Sequence, residues 1–239
     1  MSAPAPTTPT LNLLCAGAAQ GLVGALQARF LAETGATVAG RFGAVGTMKE
    51  ALAACVACDV MVVTHAMVDW LTADAALRPG TSAALGRVHT GVAVRRGTPL
   101  PDESTPQALR AALLAADAVY FPDAERSTAG IHFASVLRQL GIQDELAARL
   151  RTFANGASAM RELAGAASAR PIGCTQVSEI RDTAGVDLVG PLPHAFELAT
   201  LYSAALAQRA TEPALGSRFI ALLTGAETLA LRMEAGFEG

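Results

Sequence analysis

The sequence predicts an α/β protein made of two doubly wound α/β lobes with a ligand cleft between them. Residues 59–64 (DVMVVT) carry a largely β-branched, apolar run, the pattern of a strand buried on both faces of a parallel sheet. Three successive units of apolar strand, small-residue turn and helix open the chain, and the unit recurs further on. A length of 239 residues suits one large domain or two lobes of about 100 residues each.

Residues 11–15 read as the first strand, followed by the turn Gly17-Ala18-Ala19-Gln20-Gly21 and an Ala/Leu-rich helix to about Glu33. Residues 37–40 form the second strand, and residues 42–46 (FGAVG) the second small-residue turn. Thr47-Met48-Lys49-Glu50 has the T-x-x-E spacing of a capping box at a helix start. The third strand, residues 59–64, presents Thr64 and His65 at its carboxyl edge. In the second half, residues 104–107 (STPQ) read as an S-x-x-Q cap and residues 118–121 as a buried strand. Ser127-Thr128-Ala129-Gly130 opens the next helix. Residues 171–175 form a strand edged by Gln176, Val177 and Ser178, and residues 186–190 a further one. Residues 91–96 (GVAVRR) and 201–206 (LYSAAL) are extended, without helical periodicity, and read as crossings between the halves. Residues 211–239 are expected to be helical and to pack back on the first lobe. The division is therefore residues 11–90 plus 202–239 for lobe I, 91–201 for lobe II, and a disordered tail over 1–10.

Composition narrows the function. Eighteen basic against twenty-one acidic residues give a net charge of −3, with no basic stripe for a phosphate backbone, so nucleic acid is not expected as a partner. The chain is 51% hydrophobic and only 16% charged, yet no apolar run reaches the roughly 18 residues of a spanning helix. The start MSAPAPTTPT has neither the basic nor the apolar part of a secretory signal, so the sequence as written reads as cytoplasmic; a chain whose leader had been trimmed would be periplasmic. We expect a monomer.

Cys15, Cys55, Cys58 and Cys174 are scattered through apolar segments and read as reduced core thiols. Cys55 and Cys58 form a C-x-x-C that closes a helix and precedes a strand, the reverse of the redox arrangement. His65, His89, His132 and His194 lack metal-ligand spacing, so neither a metal nor a cofactor is expected. There is no G-x-G-x-x-G, P-loop or G-x-S-x-G.

The turns carry the functional signal. A strand-to-helix turn exposes backbone N–H groups at a helix N-terminus, and small residues let an anion come close. One such turn is commonly a mere connector. Three of them, at Ala18–Gln20, Gly43–Thr47 and Ser127–Gly130, fall beyond the carboxyl ends of strands, where open α/β sheets bind ligands. His65 sits directly after a buried strand, where its titration would serve proton transfer or ligand contact, although a lone His there is more often a surface residue. His132, one turn into its helix, points either inward or outward.

The order LNLLCAGAAQGL, FGAVGTMKEAL, CDVMVVTHAMVDWL, YFPDAERSTAGIHF, PIGCTQVSEI and GVDLVGPLPHAFELATLYSAAL resembles the molybdate-binding branch of the periplasmic solute-binding proteins over nearly the whole chain. The resemblance implies a type II binding-protein fold, hinges at residues 91–96 and 201–206, and, for an exported form, an ABC permease as partner. It implies ligand contacts at Ala18, Ala19 and Gln20, at Ala44, Val45 and Gly46, at Ser127, Thr128, Ala129 and Gly130, and at Gln176 and Ser178. Thr47, Thr64 and His65 border the same turns.

Departures from that family matter for the ligand. Its molybdate binders present serine hydroxyls in the first two loops, where this chain has Ala18, Ala19 and Gly43-Ala44-Val45, and Gln176 stands where a tyrosine is common. Each lost hydrogen bond to a charged oxyanion is worth roughly 1.5–3 kcal/mol, so a small carboxylate is expected in preference to molybdate. CTQVSEI followed by GVDLVGPLP is closer to a sub-branch of the fold that includes aconitate isomerase, an enzyme of polycarboxylates. A base within reach of an acidic carbon would then be needed, and His65, His132 and Glu179 are the candidates.

Overall fold

The computed structural model describes residues 8–239 and shows two α/β lobes joined through one long strand. The expected tail lies, over residues 1–7, outside the described residues, and Thr10 already pairs with Thr37. Lobe I begins with β1 (Thr10–Ala16), α1 (Gln20–Thr34), β2 (Thr37–Gly43), α2 (Val45–Ala53), β3 (Val60–Thr64) and α3 (His65–Ala73). Then β4 (Ala83–Arg95) runs out of it into lobe II. Lobe II adds α4 (Pro106–Ala115), β5 (Ala118–Pro122), α5 (Thr128–Gln139), α6 (Gln143–Leu146), β6 (Leu150–Phe153), α7 (Gly156–Ala164), β7 (Pro171–Gln176), α8 (Val177–Asp182) and β8 (Val186–Pro191). The chain returns as β9 (Ala199–Leu206) and ends in α9 (Pro213–Thr224) and α10 (Leu229–Glu234).

In lobe I the parallel strands β2, β1 and β3 are followed by β9, antiparallel to β3, and by the first part of β4. In lobe II the parallel set β7, β5, β6 lies on one side of β4 and antiparallel β8 on the other. The switch occurs within β4: His89 pairs with Ala199, and Thr90 with Gln176. The return segment runs alongside it, since Thr90 N–H donates to the Leu198 carbonyl and Leu192 N–H to the Thr90 carbonyl, at 2.9 and 3.0 Å. Residues 91–95 thus continue the first passage as paired lobe II strand, and residues 201–206 lie in β9.

Burial follows the hydrophobic pattern. Val60, Met61, Val62 and Val63 are all fully covered, as the doubly buried strand requires. Asp59, just before them, is buried and tied: its carboxylate accepts from the Asn12, Thr211 and Glu212 amides at 2.7–2.9 Å and from side chains of Asn12 and Thr211. It thereby joins β1, β3 and the entry to α9. The C-terminal helices do pack on lobe I, with Phe219 against Phe30 at 5.0 Å between ring centroids, but the last residues are extended and Glu238 pairs with Arg87.

Two caps differ from expectation. α2 begins at Val45 with Ala44 as N-cap and no side-chain cap, so Thr47 lies inside the helix. α4 is capped by Thr105, whose Oγ1 accepts from Ala108 N–H ahead of Pro106 at the first turn, while Ser104 bonds to Asp102. Cys15, Cys58 and Cys174 are buried free thiols, whereas Cys55 is exposed just after α2 rather than in the core. Among the described residues no single helix is long and apolar enough to cross a membrane.

Candidate functional site

Five strand-to-helix junctions converge where the lobes meet. After β1 a single 3₁₀ turn, Gly17–Ala19, leads into α1; after β2 only Ala44 separates strand from helix. From lobe II come Ser127 ahead of α5, Asn155 ahead of α7, and Gln176, the last residue of β7 and the N-cap of α8. Asn155 fixes its own turn, its Oδ1 accepting from Ser158 N–H at 2.8 Å. Together with Tyr202 of β9 these junctions line a narrow space where the two lobes touch.

Small residues permit the closure. Ala18 and Ala44 are buried, and Gly46 N–H donates to the Arg126 carbonyl at 3.0 Å, from lobe I to lobe II. A Cβ on Gly46 would lie 3.2 Å from Arg126 Cα, Cβ and O, closer than the backbones allow without moving. The Arg126 guanidinium also meets Glu50 at 3.2 Å on the surface.

Glu179 forms the wall of the cavity. It is only 6% exposed, and its Oε2 accepts from Thr175 Oγ1 at 2.5 Å. Oε1 lies against Gly17 and Oε2 against Gly156, and a Cβ at either glycine would overlap the carboxyl group. Both positions are therefore glycine because the carboxyl occupies the room. Burial pushes the Glu179 pKa up, and the Thr175 hydroxyl and the nearby amides of Gln176, Ala157 and Gly156 offset that only in part. Burial likewise raises the Tyr202 phenol, next to Glu179 and the Gln176 side chain. The Gln176 amide nitrogen donates to the Val88 and His89 carbonyls at 3.2 and 3.1 Å, pinning lobe II to the point where β4 leaves lobe I.

Of the residues singled out in the sequence, Ala18, Ala44, Val45, Ser127, Thr128, Ala129, Gln176 and Glu179 line the cavity. The others lie around it. Ala19 is buried in the lobe I core, Gln20 starts α1, and Gly46 and Thr47 belong to the first turn of α2. Thr64 caps α3 through Met67 N–H; His65 Nδ1 is 2.9 Å from Ser203 Oγ, and its Nε2 3.6 Å from Asp69 on a half-exposed side chain. Gly130 packs against the Pro122 and Asp123 carbonyls with no room for a Cβ. His132 Nε2 donates to the Phe196 carbonyl at 2.8 Å and so ties α5 to the return crossing. Ser178 is buried with an unpartnered hydroxyl beside a neighbouring hollow.

Gly17 and Gly43, in the turns singled out, also line the cavity, whereas sequence reasoning missed Asn155, Gly156 and Tyr202. Asn155-Gly156 carries a readable N-cap signal, but the short β6 before it has no apolar run to announce a strand. A larger hollow, lined by His89, His194 and Phe237, touches only one of these helix N-termini, at Val177 of α8. Among the described residues no group of three or more His, Cys, Asp or Glu is arranged to hold a metal ion.

Helix N-termini from both lobes and the hydroxyls of Ser127, Thr128 and Tyr202 bring neutral hydrogen-bond donors to this space, with the Glu179 carboxyl beside them. The model of the bacterial extracellular solute-binding proteins matches residues 11–238. The chain belongs to that family. Its fold is also that of the periplasmic molybdate-binding protein of Azotobacter vinelandii, with a TM-score of 0.80 and 18% identity over 96% of this chain and 99% of that one. A sulfate-binding protein of Mycobacterium tuberculosis superposes with a TM-score of 0.75 and 15% identity, over 96% of this chain and 86% of that one. In sequence, an aconitate isomerase of Pseudomonas sp is 28% identical over 159 residues, 65% of this chain and 57% of that protein's length.

Proposed function

We propose that this family member is a receptor that closes its two lobes on a small anion, a carboxylate in preference to molybdate. The observation that carries the reading is the convergence of helix N-termini from both lobes on one cavity whose lining has no cationic side chain. The preference follows from Ala18 and Ala44, which offer methyl groups where a tetrahedral oxyanion needs hydroxyl donors. On this reading the first crossing lies at residues 90–91 and the return crossing just ahead of β9, which begins at Ala199, rather than at 201–202, and an exported form delivers its anion to an ABC permease. Isothermal titration against di- and tricarboxylates, molybdate and sulfate tests it: carboxylates bind at least tenfold more tightly. Molybdate binding as tight as theirs defeats the preference.

A second reading, a cytoplasmic isomerase of a small polycarboxylate, is favoured by one feature. Glu179 is a buried carboxyl whose raised pKa suits it to accept a proton from an allylic carbon and return it at the other end, while helix N-termini hold the developing negative charge. It takes the role from His65 and His132, whose rings lie outside the cavity wall. The similarity to aconitate isomerase supports it. Incubation with trans- or cis-aconitate in deuterated water, followed by NMR, shows solvent deuterium in the substrate and its loss in Glu179→Gln; no exchange removes this reading.

A further inference from the structure

We infer that anion capture in this cleft is proton-linked through Glu179: the closed complex holds one proton between Glu179 Oε1 and the ligand oxygen facing it. The inference rests on the receptor reading and adds a ligand class to it, small acids that carry an O–H group beside their anionic oxygens.

The argument starts from the two oxygens of Glu179. Oε2 is engaged by Thr175, the amides of Gln176, Ala157 and Gly156 also approach the carboxyl group, and Oε1 sits beside Gly17 at the cavity wall without a side-chain donor. The lining of the cavity holds no Lys, Arg or His to neutralise the carboxyl group. A ligand oxygen entering beside Gly17 therefore faces another acceptor. Two negative oxygens in contact in a low-dielectric cleft repel strongly, whereas one proton between them makes a charge-assisted hydrogen bond. The proton balance is simple. A hydroxyl-bearing ligand brings its own hydrogen; a fully deprotonated ligand acquires a single H⁺ from buffer, either before binding, on Glu179, or with it.

Few other groups can supply that charge. Tyr202 of β9 is the titratable neighbour, and Cys15 of β1 lies beyond it, both buried and held neutral by desolvation. On the other elements packed against α8, His89 of β4 meets Glu197 and Glu238, Arg95 of β4 the Ala166 carbonyl, Asp187 of β8 Arg96, Arg161 of α7 Ser158, and Arg29 of α1 Glu33. Within α8 itself, Arg181 donates to the Met233 and Glu234 carbonyls, and Asp182 lies against Gly21 of α1 with its pKa raised by burial.

Calorimetric titration with sulfate, succinate and malate between pH 6 and 9.5 tests the inference, because malate is succinate with one hydroxyl. Sulfate and succinate are expected to lose about tenfold in affinity per pH unit in the alkaline half of the range, and malate less than threefold overall. Repeating the titrations in buffers of different ionisation enthalpy should count about one proton taken up per sulfate there and none per malate. Glu179→Gln should flatten the pH dependence of all three. Affinities of sulfate and succinate that do not change with pH, or a slope that survives in Glu179→Gln, overturn the proton link. If none of the three binds at any pH, the receptor reading falls and takes the inference with it. Should Glu179→Gln not fold, as judged by near-UV circular dichroism, the wild-type slopes and proton counts decide alone.

Discussion

Gly46 and Arg126 join the lobes backbone to backbone, the amide of one donating to the carbonyl of the other at 3.0 Å across the mouth of the cleft. The contact needs the missing Cβ of Gly46. Gly46→Val is expected to hold the lobes apart, raising the radius of gyration in small-angle scattering and weakening ligand binding at least tenfold. An unchanged radius would place the latch elsewhere.

The surface pair Arg126–Glu50 spans the same gap at 3.2 Å with both side chains about half exposed. Exposed pairs of this kind are worth about 0–1 kcal/mol. Glu50→Gln should therefore change affinity less than about fivefold, and less still at high salt, when measured beside Gly46→Val.

Asp59 tests the framework that positions the cleft. Burial raises its pKa, but hydrogen bonds from Asn12, Glu212 and Thr211 outweigh that and hold it below the ordinary carboxylate value. A depressed folded pKa contributes stability that is complete above the unfolded value of about 3.9 and is lost as pH falls through the folded value. Asp59→Ala leaves several buried donors without an acceptor and is expected to cost about 3 kcal/mol by urea denaturation at pH 7. The cost should shrink steadily below pH 4.

Glu179 has the opposite sign. Its folded pKa is raised by burial, so the native state is the better proton binder and stability declines as pH rises above the unfolded value. Glu179→Gln should lose less melting temperature than wild type between pH 5 and pH 8. Gly156→Ala, by crowding the carboxyl, should destabilise by about 1–3 kcal/mol, readable in the same melts.

The two-lobe fold was legible because its strands declare themselves: residues 60–63 are apolar without exception, and small turns follow β1, β2 and β5. Caps were less so. Thr47 and Ser104 carry the right residue types, yet the helices begin at Val45 and Pro106, because α2 is entered directly from β2 and Thr105 stands next to the favoured first-turn proline. Half of the candidate site was readable from its turns. Tyr202 was hidden because an aromatic in an apolar strand reads as core, and Glu179, though a candidate base, did not show its burial, which depends on the room left by Gly17 and Gly156, far away in sequence.

The claim that the cleft is a receptor for small carboxylates is tested most directly by thermal shift of the full chain against di- and tricarboxylates, molybdate, tungstate and sulfate at pH 6. A ligand at a hundred times its Kd stabilises by about 2.7 kcal/mol, or about 5–10 °C for a chain of this size. A shift of that order with a carboxylate, and a clearly smaller one with molybdate or tungstate, is the predicted result. The largest shift from molybdate or tungstate, or no shift from any anion, would contradict it.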